Sequence, residues 1–264
     1  MPSADVETVI ARANESVDLL PTQEESTIIG SDSISHFVEI GHDFIGYLVD
    51  IARITPDSKI LEIGSGIGRI FIPLTRYLSG KGSFDGVEPI ERFVTASTER
   101  VTTKFPNFQF HFVDFSNDFY NPKGAVDPAK YRFQWPDASF DCVILVSVFT
   151  HVKTPVLENY LSEIARMLKP GGVLFATAFL LDHDVKRRMP TFKHGLNFAH
   201  RMGKMQVVDT TKPEGALAYE EKHFAQLAKK RGFIDFNLHR GSWTEPSKPS
   251  YGGFQDLVIC RKKG

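Results

Sequence analysis

The sequence predicts an α/β fold built on a doubly wound, mostly parallel sheet with a helical segment ahead of it. Three observations predict it. Short apolar runs alternate with helix-period segments from Lys59 onward. A glycine-rich turn, GSGIG, follows the first of those runs. Acidic residues stand at the ends of the next two, Glu88 and Asp114, where open sheets of this kind bind their ligands.

Residues 6–20 read as a short amphipathic helix stopped by Pro21. From about Ile34 to Ile54, the residues Phe37, Ile40, Phe44, Tyr47, Leu48 and Ile51 recur at helical spacing, and Thr55-Pro56-Asp57 ends the pattern. KILEI is then a strand, GSGIG a tight loop and RIFIPLTRYL a helix that tolerates Pro73 near its first turn. SFDGVE, FQFHFVD and FDCVILV read as strands, and IERFVTASTERVTTK as a helix between the first two. VLENYLSEIARML places Leu157, Leu161, Ile164 and Leu168 on one stripe, with Pro170-Gly171-Gly172 expected to stop it. VLFATAF is the next strand; YEEKHFAQLAKKR is a helix, and FIDFNLH and FQDLVIC close the sheet. The expected organisation is therefore a helical segment over residues 1–55 and one domain over 56–264, carrying inserts at about 115–136 and 180–215.

Composition narrows the class. Lys and Arg total 31 against 32 for Asp and Glu, so the net charge of −1 lacks the basic excess of a dedicated nucleic-acid binder. With 42% hydrophobic residues the chain has ample material for a core. Its two cysteines, Cys142 and Cys260, sit in apolar runs and read as buried thiols; they cannot build a disulfide framework or a cysteine metal site. The first twenty residues lack the apolar core of a signal peptide, and no apolar stretch is long enough to span a bilayer. A cytoplasmic, soluble protein is the expectation, with homodimerisation an open option.

The loop Glu62-Ile63-Gly64-Ser65-Gly66-Ile67-Gly68 departs from a dinucleotide fingerprint. Its third glycine comes one residue early, and Arg69 takes the expected place. Glu62 repels a pyrophosphate but suits a ligand carrying positive charge, such as S-adenosylmethionine with its sulfonium and α-ammonium groups. Glu88, at the tip of the second strand, is placed for ribose hydroxyls, and Asp114, at the end of the third, for an adenine amino group. Each acid also reads as an ordinary strand-end carboxylate, and Asp114 as a turn cap.

In ILEIGSGIG, GVEP, FHFVD, PDASFDCVILVSVFTHV and EIARMLKPGGVLFAT, taken in this order, the chain resembles the class I S-adenosylmethionine-dependent methyltransferases. The resemblance covers roughly residues 59–179. It implies a Rossmann-like seven-stranded sheet with an antiparallel last strand, and the N-terminal helices as a lid. It further implies that Glu62, Gly64, Ser65, Gly66 and Gly68 face the methionine part of the cofactor, Glu88 the ribose and Asp114 the adenine, with Phe115 and Ser147 also at the cofactor.

Methyl transfer to an alcohol benefits from a general base. His151, in the loop SVFTHV after the fourth strand, and His183, in LDHD after the fifth, are the candidates; a loop-anchoring role is the alternative for His151. Asp182 and Asp184 beside His183 also raise a divalent-cation option, but no metal site is assigned. The aromatics of the first insert (Phe119, Tyr120, Tyr131, Phe133, Trp135) suit a saccharide platform, and the basic run from Lys186 to Lys204 suits a phosphate or carboxylate. Packing and a solvated surface are the competing readings. The D/N-P-P-Y/F motif of nucleic-acid and protein amide methylation is absent, with SVFT in its place. The expectation is an O-methyltransferase of a saccharide or other small molecule. N- or C-methylation of a metabolite, an NAD-dependent oxidoreductase and a non-catalytic partner subunit are the alternatives.

Overall fold

The computed structural model describes residues 18–245 and 253–264. The helix expected over residues 6–20 falls almost entirely outside them. The chain divides into two compact units, one running to Val113 and including Phe140–Ile144, the other comprising Asp114–Ser139 and Leu145–Gly264.

In the first unit, helix α1 (Gln23–Ile28) opens on a capping box between Thr22 and Glu25, and α2 (Ile34–Asp50) on Ser33, whose hydroxyl accepts the His36 amide. Strand β1 (Lys59–Ile63) pairs in parallel with β2 (Ser83–Glu88) and β4 (Phe140–Leu145), and β2 with β3 (Phe108–Phe112). Ile60, Leu61, Val143 and Ile144 are fully buried, as central parallel strands covered on both faces require. Helix α3 (Phe71–Tyr77) packs Phe71 against Phe84 and Phe110, with ring centroids 5.7 and 4.6 Å apart. The long helix expected after β2 is α-helical only over α4 (Glu91–Ser97) and continues as a π turn over Thr98–Thr102. The hydroxyls of Thr95 and Thr98 donate to the carbonyls of Glu91 and Val94, competing with the helical ladder there.

In the second unit, α5 (Thr154–Met167) leads directly into β5 (Leu168–Ala178). The helix ends before Pro170-Gly171-Gly172 rather than at it. Leu168 is already extended, and the carbonyls of Arg166 and Met167 accept the amides of Ala138 and Ser139 instead of continuing the helix. Strand β11 (Asp256–Lys262) runs antiparallel to both β5 and β10 (Phe233–His239), the expected reversal at this edge. The seven strands of the main sheet thus lie in the order β10-β11-β5-β4-β1-β2-β3. Cys142 and Cys260 are buried free thiols, as their apolar surroundings predicted.

The insert at about 180–215, noted from sequence for its basic run, is largely folded. It holds β6 (Leu180–Leu181), α6 (His183–Arg188), β7 (His200–Met202) and β8 (Met205–Val207), which with β9 (Leu217–Glu220) make a second sheet ordered β6-β9-β8-β7. Phe179, Leu181, Val185, Met189, Phe192 and Phe198 collapse around the buried Trp243 and supply its core. Tyr219, expected to start a helix, pairs with Leu180 and Met205 in β9, so α7 begins at Glu221 and ends at Lys230. Among the described residues no helix is long and apolar enough to cross a membrane.

Candidate functional site

Gly64, Gly66 and Gly68 all adopt positive φ, at 78°, 56° and 117°. Such a succession is open to glycine and strained for other residues. A Cβ on Gly68 would lie 2.4 Å from Ile72 Cδ1, so this glycine lets α3 start against the loop. A Cβ on Gly66 would meet only Ile29 Cγ2, at 3.9 Å, leaving open space on that side.

The loop's amides are directed at the tip of β2. Gly64 and Ser65 donate to the Val87 carbonyl at 2.8 and 3.1 Å, and Gly66 donates to Glu88 Oε2 at 2.9 Å. A pyrophosphate would find these donors already committed. This geometry separates the loop from phosphate-cradling glycine loops, whose amides point at the ligand.

Glu62 and Glu88 are both buried. Burial pushes the Glu88 carboxyl up to about 7, against the lowering effect of its two amide donors, Gly66 and Ile90. Burial, and then repulsion from Glu88, push Glu62 well above the usual carboxylate range, while Arg69 opposes the rise. Glu62 Oε2, Ser65 Oγ and Arg69 Nε are buried without a hydrogen-bond partner. The Arg69 Nη2 atom is tied down, donating to the Ile29 carbonyl at 2.8 Å and Ser31 Oγ at 2.9 Å. Buried polar atoms left unpaired are costly, and this group concentrates them beside one glycine loop. Two buried acids in this setting favour a cationic ligand.

Asp114 has a different setting. Its Oδ1 accepts from Asn121 Nδ2 at 2.7 Å and its Oδ2 from the Ala125 amide at 3.0 Å, which holds its pKa down. The carboxylate thus fastens the first insert, as the turn-cap reading allows, and each oxygen keeps a further lone pair. Phe115 is a packing residue, buried against Tyr131, Phe133 and Tyr160. Ser147 has φ 59°; its amide donates to Thr177 Oγ1 at 2.8 Å and its hydroxyl to Gln255 Oε1 at 3.3 Å.

His151 anchors a compact cluster. Its Nδ1 lies 2.9 Å from the Glu214 carbonyl, its Nε2 3.4 Å from the Tyr120 hydroxyl, and its own carbonyl accepts from Asn117 Nδ2 at 2.8 Å. A carbonyl only accepts, so Nδ1 carries the proton and Nε2 the basic lone pair. Burial lowers the imidazole pKa, against the two backbone partners that raise it. The Tyr120 ring stands edge-to-face on His151 and on Phe119, at 5.0 and 4.9 Å. Phe119 and Tyr120 are 47% and 51% exposed, unlike Phe133, which is core. Asn117 Oδ1 accepts the amides of Phe119 and Tyr120, and Glu214 Oε2 accepts that of Asp118.

His183 joins none of these contacts. It is exposed on the first turn of α6. Its flanking acids are engaged elsewhere: Asp182 caps the helix at Val185 and pairs with Arg240, while Asp184 pairs with Arg187 and Arg188. Among the described residues no group of His, Cys, Asp and Glu is arranged to hold a metal ion.

Three residues of these clusters were given no catalytic or cofactor role from sequence. Arg69 was visible as the residue after the glycine loop. Tyr120 lay among five aromatics of one insert with nothing to single it out, and Glu214 sits in a Pro-Glu-Gly turn whose packing on His151 no local pattern announces.

A methyltransferase-domain family profile matches residues 43–234. Among curated proteins, the chain is 26% identical over 180 residues to an arsenite methyltransferase of Aquipseudomonas alcaligenes, covering 68% of this chain and 45% of that one. It is 29% identical over 150 residues to a sterol 24-C-methyltransferase of Yarrowia lipolytica, covering 54% and 33%. The chain thus spans less than half the length of either relative. A crystal structure of an S-adenosylmethionine-dependent methyltransferase from Methanosarcina mazei shares the fold, with TM-score 0.52 and 19% identity over 80% of this chain and 94% of that one. The sheet order, the glycine loop with its buried acids and the profile match agree, and the chain belongs to the class I S-adenosylmethionine-dependent methyltransferase family.

Proposed function

We propose that this chain transfers a methyl group from S-adenosylmethionine to a hydroxyl of a small molecule, a saccharide first among the candidates, with His151 as general base and S-adenosylhomocysteine as product. The residues present fit the cofactor. The unpartnered Glu62 Oε2, Ser65 Oγ and Arg69 Nε lie buried beside a loop with open space at Gly66, and the two buried acids suit a cation. In this reading Glu62, Gly64, Ser65, Gly66 and Gly68 hold the methionine part, Glu88 the ribose and Asp114 the adenine, with Phe115 and Ser147 alongside. The bound cofactor supplies an electrophilic methyl group on a positively charged sulfur.

The choice of a hydroxyl rests on the Nδ1–Glu214 hydrogen bond. It leaves His151 Nε2 as the basic atom, able to take the proton that an alcohol must lose. An amine needs little more than desolvation. Exposed Phe119 and Tyr120 beside that atom offer an apolar face to a sugar ring. Arsenite, the substrate named for one relative, binds through thiolates; both cysteines here are buried, with the Cys260 thiol pushed up to about 12. The NAD reading is disfavoured by the committed loop amides and by Glu62.

The test is transfer of radiolabelled methyl from the cofactor to a panel of saccharides and hydroxylated metabolites. Label on oxygen that is lost in His151→Ala is expected. Label on nitrogen or carbon, or full activity of His151→Ala, overturns the hydroxyl assignment.

A further inference from the structure

A pocket of about 390 Å³ lies on the second unit, lined by Lys186, Arg201, Lys204, Glu220, Lys222, His223 and Gln226. That volume suits a small molecule. Four cations face one carboxylate there, in a chain whose overall charge is −1. The carboxylate is already neutralised: Glu220 Oε1 is bound by the Lys186 ammonium at 2.5 Å and by Gln206 Nε2 at 3.4 Å. Among the described residues Lys186 takes the ion pair with Glu220, while Arg201, Lys204 and Lys222 form none; Arg201 Nε donates only to the Gly203 carbonyl, at 3.2 Å.

These three cations come from separate places. Arg201 and Lys204 belong to the β7–β8 hairpin, and Lys222 to the first turn of α7. The hairpin is pinned beside the helix start, because the Glu220 amide donates to the Lys204 carbonyl at 3.1 Å. His223 Nε2 is buried and unpartnered on the same turn. Like charges held at one concave place repel each other, and a pocket whose cations outnumber its one carboxylate, Glu220, already bound by Lys186, favours an external anion.

We propose that this pocket binds the phosphate of a small phosphorylated ligand, with Arg201, Lys204 and Lys222 as charge partners and His223 Nε2 as a hydrogen-bond partner. A phosphate ester matches this set better than a carboxylate. It carries between one and two negative charges and several acceptor oxygens, whereas a carboxylate would leave most of the positive charge uncompensated. The assignment concerns charge and shape in the second unit alone and does not depend on the methyl acceptor.

The probe is inorganic pyrophosphate, titrated calorimetrically into the full chain at low salt. One saturable site is expected, weakening as salt rises. Arg201→Glu/Lys204→Glu should weaken it at least about tenfold. Both side chains are exposed, so the fold should survive; Lys222→Glu, on a different element, repeats the measurement independently. Absence of saturable binding, or undiminished affinity in both variants, overturns the proposal. Tighter binding of a single-stranded oligonucleotide than of pyrophosphate, lost in the same variants, also overturns it in favour of a nucleic-acid surface. Once an acceptor is known, competition by pyrophosphate against methyl incorporation separates a phosphate on the acceptor from one on a separate effector; either result retains the pocket.

Discussion

The Gly66 amide and Glu88 Oε2 are joined by a 2.9 Å hydrogen bond, so the acid ending β2 is built into the loop that follows β1. Ile90 donates to the other oxygen at 3.1 Å. The carboxylate is therefore a structural partner of the loop and, in the reading proposed above, a cofactor contact as well. Burial, which disfavours its charged form against the pull of both amides, makes folding stability and cofactor affinity respond oppositely to pH.

Glu88 is held at about 7 in the folded chain against an ordinary 4.5. A raised carboxyl pKa contributes stability that is fully present below the ordinary value and lost as pH rises through the folded one, at most about 3 kcal/mol here. The cofactor-free protein should therefore melt at lower temperature at pH 8 than at pH 5, and Glu88→Gln should make that slope shallower. Affinity for the cationic cofactor should move the other way, rising through pH 7 as the carboxylate ionises. Calorimetry in buffers of different ionisation enthalpy reads the released proton; no proton release on binding would separate Glu88 from the ligand.

Gly66→Val places a β-branched side chain at φ 56° and fills open space. The backbone strain costs about 1–2 kcal/mol, a drop of a few degrees in melting temperature, with the sheet intact. Binding of S-adenosylhomocysteine should disappear from a thermal-shift titration. A Gly66→Val variant that the ligand stabilises as strongly as the parent would take the loop out of the site.

His151→Ala should lower kcat by about 10²–10⁴ while leaving cofactor affinity unchanged. The parent rate should fall on the acid side at a pKa below 6.5, the direction in which burial moves this imidazole. That limb should vanish in the variant. A rate reduced equally at every pH, with the limb retained, would assign His151 to anchoring the Asn117 and Glu214 segments.

Glu163 and Arg166 form a largely enclosed pair on α5. Together they hold the first insert by both backbone groups of Phe133, through Glu163 Oε2 at 3.0 Å and Arg166 Nη2 at 3.0 Å. Glu163→Ala leaves the Phe133 amide unpaired and Arg166 short of a partner, which should cost about 3 kcal/mol. Thermal melting measures the loss, and limited proteolysis should cut first within residues 115–136.

The sheet was legible because its strands are continuous apolar runs and its turns carry glycine. The placement of Glu62 and Glu88 at the ends of β1 and β2 was legible for the same reason, though their burial was not. The second sheet was not: β7 and β8 are three residues each, β7 is exposed throughout, and the cluster beneath draws on Phe179 and Trp243 from outside the insert. Glu163 and Arg166, three apart on a helix, have the spacing of an ordinary surface pair, and only the packed insert makes them an anchor. His183 shows the converse: a histidine flanked by two aspartates drew attention, yet helix capping and arginine pairing already account for those acids.

Ser147 holds a left-handed backbone that a non-glycine residue adopts at a cost of about 1–3 kcal/mol. Thr177 and Gln255 grip it from two other segments of the chain. The bend ahead of His151 is thus held from two sides by contacts that do not involve His151 itself. Ser147→Gly would relax the bend and trade rigidity for slack: a more stable protein whose histidine wanders.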